Sequence, residues 1–317
     1  MLKIPERVSV AAVVATFNSA PTIQQCLSSL IPYMKLGFLN EIVVVDGGST
    51  DETVQIVKTF QAKLIFENVR SSYSVSPIKS HYGKYVALNQ GWRITDSDFV
   101  MFLDSDAYIG DGLFPHVLRF FANPAVGVVG CWPKPWGASG ISSIVGHLWQ
   151  YHGKMLKRLQ TNKGGWLQRL YESVVTFGNN QVLVSGPCYI VRRGCLEEIN
   201  GHDIVGDVGL SLRLHKRGWS SLWWVDSPVY HKPKQDLISW RQQRFFWGRV
   251  GAYMPHNPAR FYLSELLRIA GSVALGLVFT LQVRNRTFLT TLPQLELFYL
   301  AGYLKGVSDR TRPHVRH

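Results

Sequence analysis

Phe99-Val100-Met101-Phe102-Leu103-Asp104-Ser105-Asp106 is the stretch on which the fold turns. Its opening apolar run, bounded by turn residues, reads as a short buried strand. Side chains two apart in a strand point the same way, so Asp104 and Asp106 can both face one spot just past its end. Two converging carboxylates hold a hard divalent cation, and such a cation is what a diphosphate needs. An Asp-Ser-Asp is also ordinary turn chemistry. The pair gains its meaning from the residues around it.

Residues 8–15 form a second apolar run, read as a buried strand that turns over 16–20. Asn18 or Ser19 serves as N-cap there, with Pro21 near the first helical turn. The pattern predicts a helix to about residue 36, then a strand over 41–45 ending at Asp46-Gly47-Gly48. Ser49 with Glu52 three residues later is a capping-box pattern that opens the next helix. A short strand over 63–66 and a helix from about 81 to 94 complete the approach to the paired acids. Alternating strands and helices predict a parallel α/β sheet, whose ligands sit beyond the carboxyl ends of the strands. Thr16, Phe17, Asn18, Asp46, Asp104 and Asp106 all fall at such ends.

Composition narrows the class. An apolar fraction of 46% and ten Trp exclude a mainly disordered chain. The formal charge is +13, and the last 87 residues hold 13 Lys and Arg against 4 Asp and Glu. That basic region also holds the most apolar segments, which suits an anionic membrane surface and not a nucleic acid. The four cysteines lack Cys-x-x-Cys spacing. They read as small buried hydrophobes of a reducing compartment. The chain runs almost directly from Met1 into a strand, so no signal peptide is expected ahead of the fold.

Four segments now stand in order: Val14-Ala15-Thr16-Phe17-Asn18, then Val44-Val45-Asp46-Gly47-Gly48-Ser49-Thr50-Asp51, then Gly83-Lys84 with Ala87-Leu88-Asn89 and Gly91, then Leu103-Asp104-Ser105-Asp106. Together they resemble the nucleotide-sugar-binding half of the family 2 glycosyltransferases, which have the GT-A fold. The resemblance implies a mixed α/β sheet flanked by helices and an inverting transfer dependent on Mg²⁺ or Mn²⁺. It implies that Thr16, Phe17, Asn18 and Asp46 hold base and ribose, with Ser49 and Ser105 also on the donor side. Lys84 would face the diphosphate and Asp106 would bind the metal, with Asp104 near ribose or metal.

The acceptor half continues the resemblance. Gly206-Asp207 stands where the family usually has Glu-Asp, so Asp207 matches the general base while the supporting Glu is replaced by Gly206. Asp207 also suits an N-cap for a helix over 208–216. Trp240-Arg241-Gln242-Gln243-Arg244-Phe245 resembles the Gln-x-x-Arg-Trp motif of cellulose-synthase-like members, with Arg241 at the Gln and Phe245 at the Trp. Those two departures argue against processive polymer synthesis. Arg244 keeps the guanidinium that pairs with a leaving diphosphate.

Two regions read as membrane-directed. Residues 144–177 mix Trp149, Tyr151, Trp166 and Tyr171 with Lys154, Lys157, Arg158, Lys163 and Arg169, like interfacial amphipathic helices. Residues 266–283 are largely apolar, interrupted by Arg268, Ser272 and Gln282, and 287–307 resume after Arg284-Asn285-Arg286 with Pro293 and Glu296 inside. A short hairpin that spans or dips into the bilayer is expected, with Glu296 costly in lipid unless paired. A soluble helical pair is the alternative.

The expected organisation is a GT-A catalytic domain over 1–235 with an interfacial insertion at about 142–177. An Arg-rich interfacial helix over 236–260 and a membrane hairpin with basic tail over 261–317 complete it. The expected function is transfer of a hexose, mannose from GDP-mannose first, to a lipid-linked acceptor. The expected place is the cell membrane, with the catalytic domain on the cytoplasmic side. A nucleotidyltransferase on a similar fold and a non-catalytic basic membrane-binding protein are the alternatives.

Overall fold

The computed structural model describes residues 8–68, 79–137, 141–160, 184, 186–198, 207–252 and 258–311. The first elements are β1 (Val10–Thr16), α1 (Ala20–Lys35), β2 (Glu41–Asp46), α2 (Thr53–Val57), β3 (Lys63–Phe66), α3 (Lys79–Arg93) and β4 (Phe99–Asp104). Next come β5 (Ala107–Ile109), α4 (Leu113–Phe120), β6 (Val126–Pro135) and α5 (Ile141–Gln160). β7 (Cys188–Arg192), α6 (Arg193–Glu198), α7 (Asp207–Lys216) and β8 (Ser220–His231) follow, then α8 (Leu237–Gly251), α9 (Pro258–Val283) and α10 (Thr287–Thr311). The chain divides into two compact units. One takes Met1–Gly137, Trp149–Lys157 and Gln181–Lys232; the other takes Ala138–Leu148, Arg158–Asn180 and Pro233–His317.

In the first unit the sheet runs β3-β2-β1-β4-β7-β6-β8-β5. Its first four strands are parallel, as the βα alternation predicts. β7 then inserts antiparallel between β4 and β6, giving the mixed sheet with flanking helices expected of a GT-A fold. Strands covered on both faces need apolar residues at every position, and β1 shows why. Val10, Ala12 and Val14 pack in one fully buried cluster with Leu27 and Leu30 of α1. Val13 packs in another with Val43, Ala87 and Trp92. α3 approaches closely because position 91 is glycine: a Cβ there would overlap Val13 Cγ1 and crowd Val45.

The expected capping box is not formed. α2 starts at Thr53, and Glu52 makes no side-chain capping bond. Ser49 turns back to Asp46 instead, because that carboxylate lies within the same turn. The opening of α2 is served by Asp51, whose carboxylate accepts the Thr53 N–H at 3.0 Å and its hydroxyl at 2.5 Å.

Two residues read as membrane-facing serve the first unit. The Trp149 ring stacks on His231 at 5.3 Å, and Lys157 pairs with Asp226 at 2.6 Å. Residues 161–177 of the expected interfacial insertion lie outside the described residues.

The second unit is built on α8, α9 and α10. α8 and α10 meet backbone to backbone: a Cβ on Gly248 would overlap the Tyr299 carbonyl, and one on Gly302 would overlap that of Phe245. Among the described residues no helix is long and apolar enough to cross a membrane. The expected hairpin exists as α9 and α10, and its inner side is charged, which does not support the spanning form of the spans-or-dips expectation. Arg244 of α8 pairs with Glu296 of α10 at 2.5 Å, and Arg268 of α9 reaches both Glu265 (2.7 Å) and Glu296 (3.1 Å). The Tyr299 ring lies under both guanidiniums, at 4.9 and 4.8 Å. Burial alone would lower the Arg268 pKa, but Glu296 and Glu265 override it and raise it.

Candidate active site

β4 ends at Asp104 and β5 begins at Ala107, so Ser105 and Asp106 form the turn between two strands. Backbone and hydroxyl bonds help to hold this turn. The Asp104 N–H donates to Pro187 O at 2.7 Å, the Lys232 N–H donates to Asp106 O at 3.0 Å, and the Ser105 and Ser19 hydroxyls meet at 2.9 Å. Ser19 is the N-cap residue of α1 yet makes no side-chain capping bond.

The paired carboxylates converge, and a third group joins them. β5 pairs with β8 in a register that sets Ala107 opposite His231. His231 Nε2 lies 3.0 Å from Asp106 Oδ1. One ligand atom each from Asp104, Asp106 and His231 lie within 4.8 Å of one another. His231 Nδ1 is buried without a hydrogen-bond partner. Two carboxylates and an imidazole fit a divalent cation. The mixed oxygen and nitrogen set suits Mn²⁺ better than Mg²⁺, which prefers oxygen alone.

Lys84 of α3 pairs with Asp104 Oδ1 at 2.6 Å. Burial raises the Asp104 pKa despite Lys84, and Asp106 adds to the rise. Beneath the turn, Cys26 Sγ donates to Asp104 O at 3.6 Å. Burial first, then Asp106 and Asp104, push its thiol pKa far up, so it remains a neutral thiol.

Beside this group lies a clasp of two turns. Asp46 is buried at the end of β2, and its carboxylate accepts the N–H groups of Gly48 (2.9 Å) and Ser49 (2.8 Å) and the Ser49 hydroxyl (2.5 Å). The Asn18 N–H donates to Ser49 Oγ at 2.9 Å, and Asn18 Oδ1 accepts the Thr50 N–H at 2.8 Å. Asn18 adopts φ 47°, a left-handed conformation that asparagine tolerates. The Phe17 ring is left 61% exposed, free to stack on a planar ligand, and the buried Thr16 Oγ1 has no hydrogen-bond partner.

Thr16, Phe17, Asn18, Asp46, Ser49, Asp104, Ser105 and Asp106 thus gather at the carboxyl ends of β1, β2 and β4, with Lys84 bonded to Asp104. Asp207 is the first residue of α7, and Arg244 lies in α8 of the second unit, paired with Glu296. Sequence reading missed His231, whose only signal was a histidine closing an alternating strand.

Residues 11–168 match the family described as glycosyl transferase family 2. The chain is 24% identical over 256 residues to the poly-beta-1,6-N-acetyl-D-glucosamine synthase of Staphylococcus aureus, covering 79% of this chain and 56% of that protein. An uncharacterized glycosyltransferase of Mycoplasma pneumoniae is 31% identical over 114 residues, 36% of each chain. The chain therefore spans about half or less of these curated relatives. Among solved structures, the mannosyltransferase of Pyrobaculum calidifontis in complex with GDP-Man and Mn²⁺ aligns with TM-score 0.59 at 19% identity, covering 96% of this chain and 88% of that one. The glucosyl-3-phosphoglycerate synthase of Mycobacterium tuberculosis, in complex with Mn²⁺, UDP-Glc and phosphoglyceric acid, gives 0.51 at 18%, covering 77% and 78%. At these identities the likeness shows the fold.

Proposed function

We propose, from the match of residues 11–168 to glycosyl transferase family 2, that the chain is a glycosyltransferase that moves a hexose with inversion from a nucleoside-diphosphate sugar to a lipid-linked acceptor. One observation carries the donor half: Asp104, Asp106 and His231 converge beside the Asp46 and Asn18 clasp. Mn²⁺ or Mg²⁺ held by these three groups would neutralise charge on the departing diphosphate. The Phe17 ring offers a stacking face for the base, and the clasp keeps the two turns in fixed register. Lys84, within reach of Asp104, adds a cation on the phosphate side.

Asp207 would take the acceptor proton as the hydroxyl attacks C1 from the opposite face. The roles of Asp207 and of Arg244, assigned to the leaving diphosphate, rest on their places in the sequence motifs. The lipid-linked acceptor rests on the basic, apolar C-terminal third, as does placement at the cell membrane with the catalytic domain on the cytoplasmic side. Mannose from GDP-mannose is the first donor to test, and the staphylococcal relative, named for an N-acetyl-D-glucosamine polymer, adds a nucleotide-activated N-acetylglucosamine to the panel.

The test is nucleoside-diphosphate release from a panel of nucleotide sugars with Mn²⁺ or Mg²⁺, with and without lipid. Release from one donor, abolished by EDTA, is expected. Activity that survives EDTA would overturn the metal assignment.

A further inference from the structure

We propose that the outer face of α9 is a docking surface for a lipid bilayer. Among its described side chains from 262 to 281, every exposed position is apolar. Leu263, Leu266, Leu267, Val273, Leu277 and Leu281 carry most of the face, with Leu266 62% and Leu281 72% exposed. With the exposed Ala270, positions 263, 266, 270, 273, 277 and 281 recur at three- and four-residue steps, so they form one stripe about 27 Å long.

The opposite side of the same helix holds its charged groups beside the buried Gly276 and Phe279. Glu265 and Ser272 are buried, and Arg268 turns inward to Glu296 and the Tyr299 ring. A helix in water buries its apolar stripe and shows its charges. α9 does the reverse, and a stripe of this length is far beyond scattered exposed leucines.

Charge identifies the occupant. Arg284 and Arg286 are exposed where the stripe ends, in a region with 13 Lys and Arg against 4 Asp and Glu. Anionic headgroups complement that end. A second copy laid parallel on the stripe would set these arginines against their own counterparts. Because no described helix is apolar enough to cross, contact is one-sided: the stripe enters the lipid surface while Glu265 and Arg268 stay paired within the second unit. This inference rests on the second unit alone, so it stands or falls apart from the nucleotide-sugar assay.

Flotation of the full chain with phosphatidylcholine vesicles, with and without phosphatidylglycerol, tests it. Wild type is expected to float with both and more strongly with phosphatidylglycerol. Leu266→Glu/Leu277→Glu should lower the bound fraction by at least about tenfold. Arg284→Gln/Arg286→Gln should lose only the salt-sensitive, phosphatidylglycerol-dependent part. Both variants alter exposed positions, so thermal unfolding should match wild type. A wild-type chain that stays at the bottom of the gradient overturns the proposal. A dimer dissolved by Leu266→Glu/Leu277→Glu, with no flotation of either form, would reassign the face to a second copy.

Discussion

Asp106 stands where three constraints meet: the turn after β4, the backbone bond from Lys232 and the contact with His231. Its carboxylate lies outside the packed core, so Asp106→Ala should leave thermal unfolding nearly unchanged. Metal-dependent donor binding, measured by calorimetry, should disappear. His231→Ala removes the only nitrogen from the candidate ligand set and should weaken Mn²⁺ by about 10–100-fold, on the scale of other changes around metal sites. The preference for Mn²⁺ over Mg²⁺ should narrow with it, and an unchanged preference would place the metal elsewhere. Asp207→Asn keeps the shape but cannot accept a proton, so transfer should fall by roughly 10²-fold with donor affinity retained. The carboxylate pair was legible because its two members are neighbours in sequence. His231 was not, since only the pairing of β5 with β8 brings it to Asp106 across 125 positions.

At the level of elements, two contacts decide whether the donor edge holds its shape. Gly91 lets α3, which carries Lys84, lie directly on β1 and β2. Gly91→Ala would push a methyl into fully buried Val13, a cost of about 1–3 kcal/mol for overpacking. Urea unfolding should show that loss. Asp51 ties the start of α2 to that of α1, accepting from Thr53 and from the Ala20 N–H at 3.1 Å. Bonding to Thr53 holds its carboxyl below the ordinary value. The stabilisation is therefore present above about pH 4 and is lost as pH falls through the lowered value. Asp51→Ala should reduce Tm at neutral pH and flatten its fall on acidification. The parallel strands were readable from alternating apolar runs, with ends within a residue or two. The antiparallel insertion of β7 was not, because buried strands look alike whichever way they run. Ser49 was misread for a local reason: Asp46, three residues earlier, competes for its hydroxyl and wins.

Across the whole molecule, the two units are held by different physics. The first rests on apolar strands and helices, while the second adds ion pairs to a smaller apolar cluster and close helix packing. Glu296→Ala would leave Arg244 and Arg268 short of a largely buried partner, a loss of about 3–5 kcal/mol for a broken buried pair. Calorimetry should show one transition falling while a donor-stabilised transition stays in place. The charge of the C-terminal third was legible, but its pairing was not. Residues 266–283 read as one apolar run because Arg268 looks like an interruption until α9 sets it one turn from Glu265. That network also implies a timetable. A chain leaves the ribosome from its N-terminus, so Arg244, Arg249 and Arg268 are made before Glu296 and Asp309, the carboxylates that neutralise them. Gly248 and Phe245 likewise wait for Tyr299 and Gly302. The second unit cannot close while translation is still on α9, and Arg244, Arg249 and Arg268 spend that interval without Glu296 and Asp309, open to whatever anions the surroundings supply.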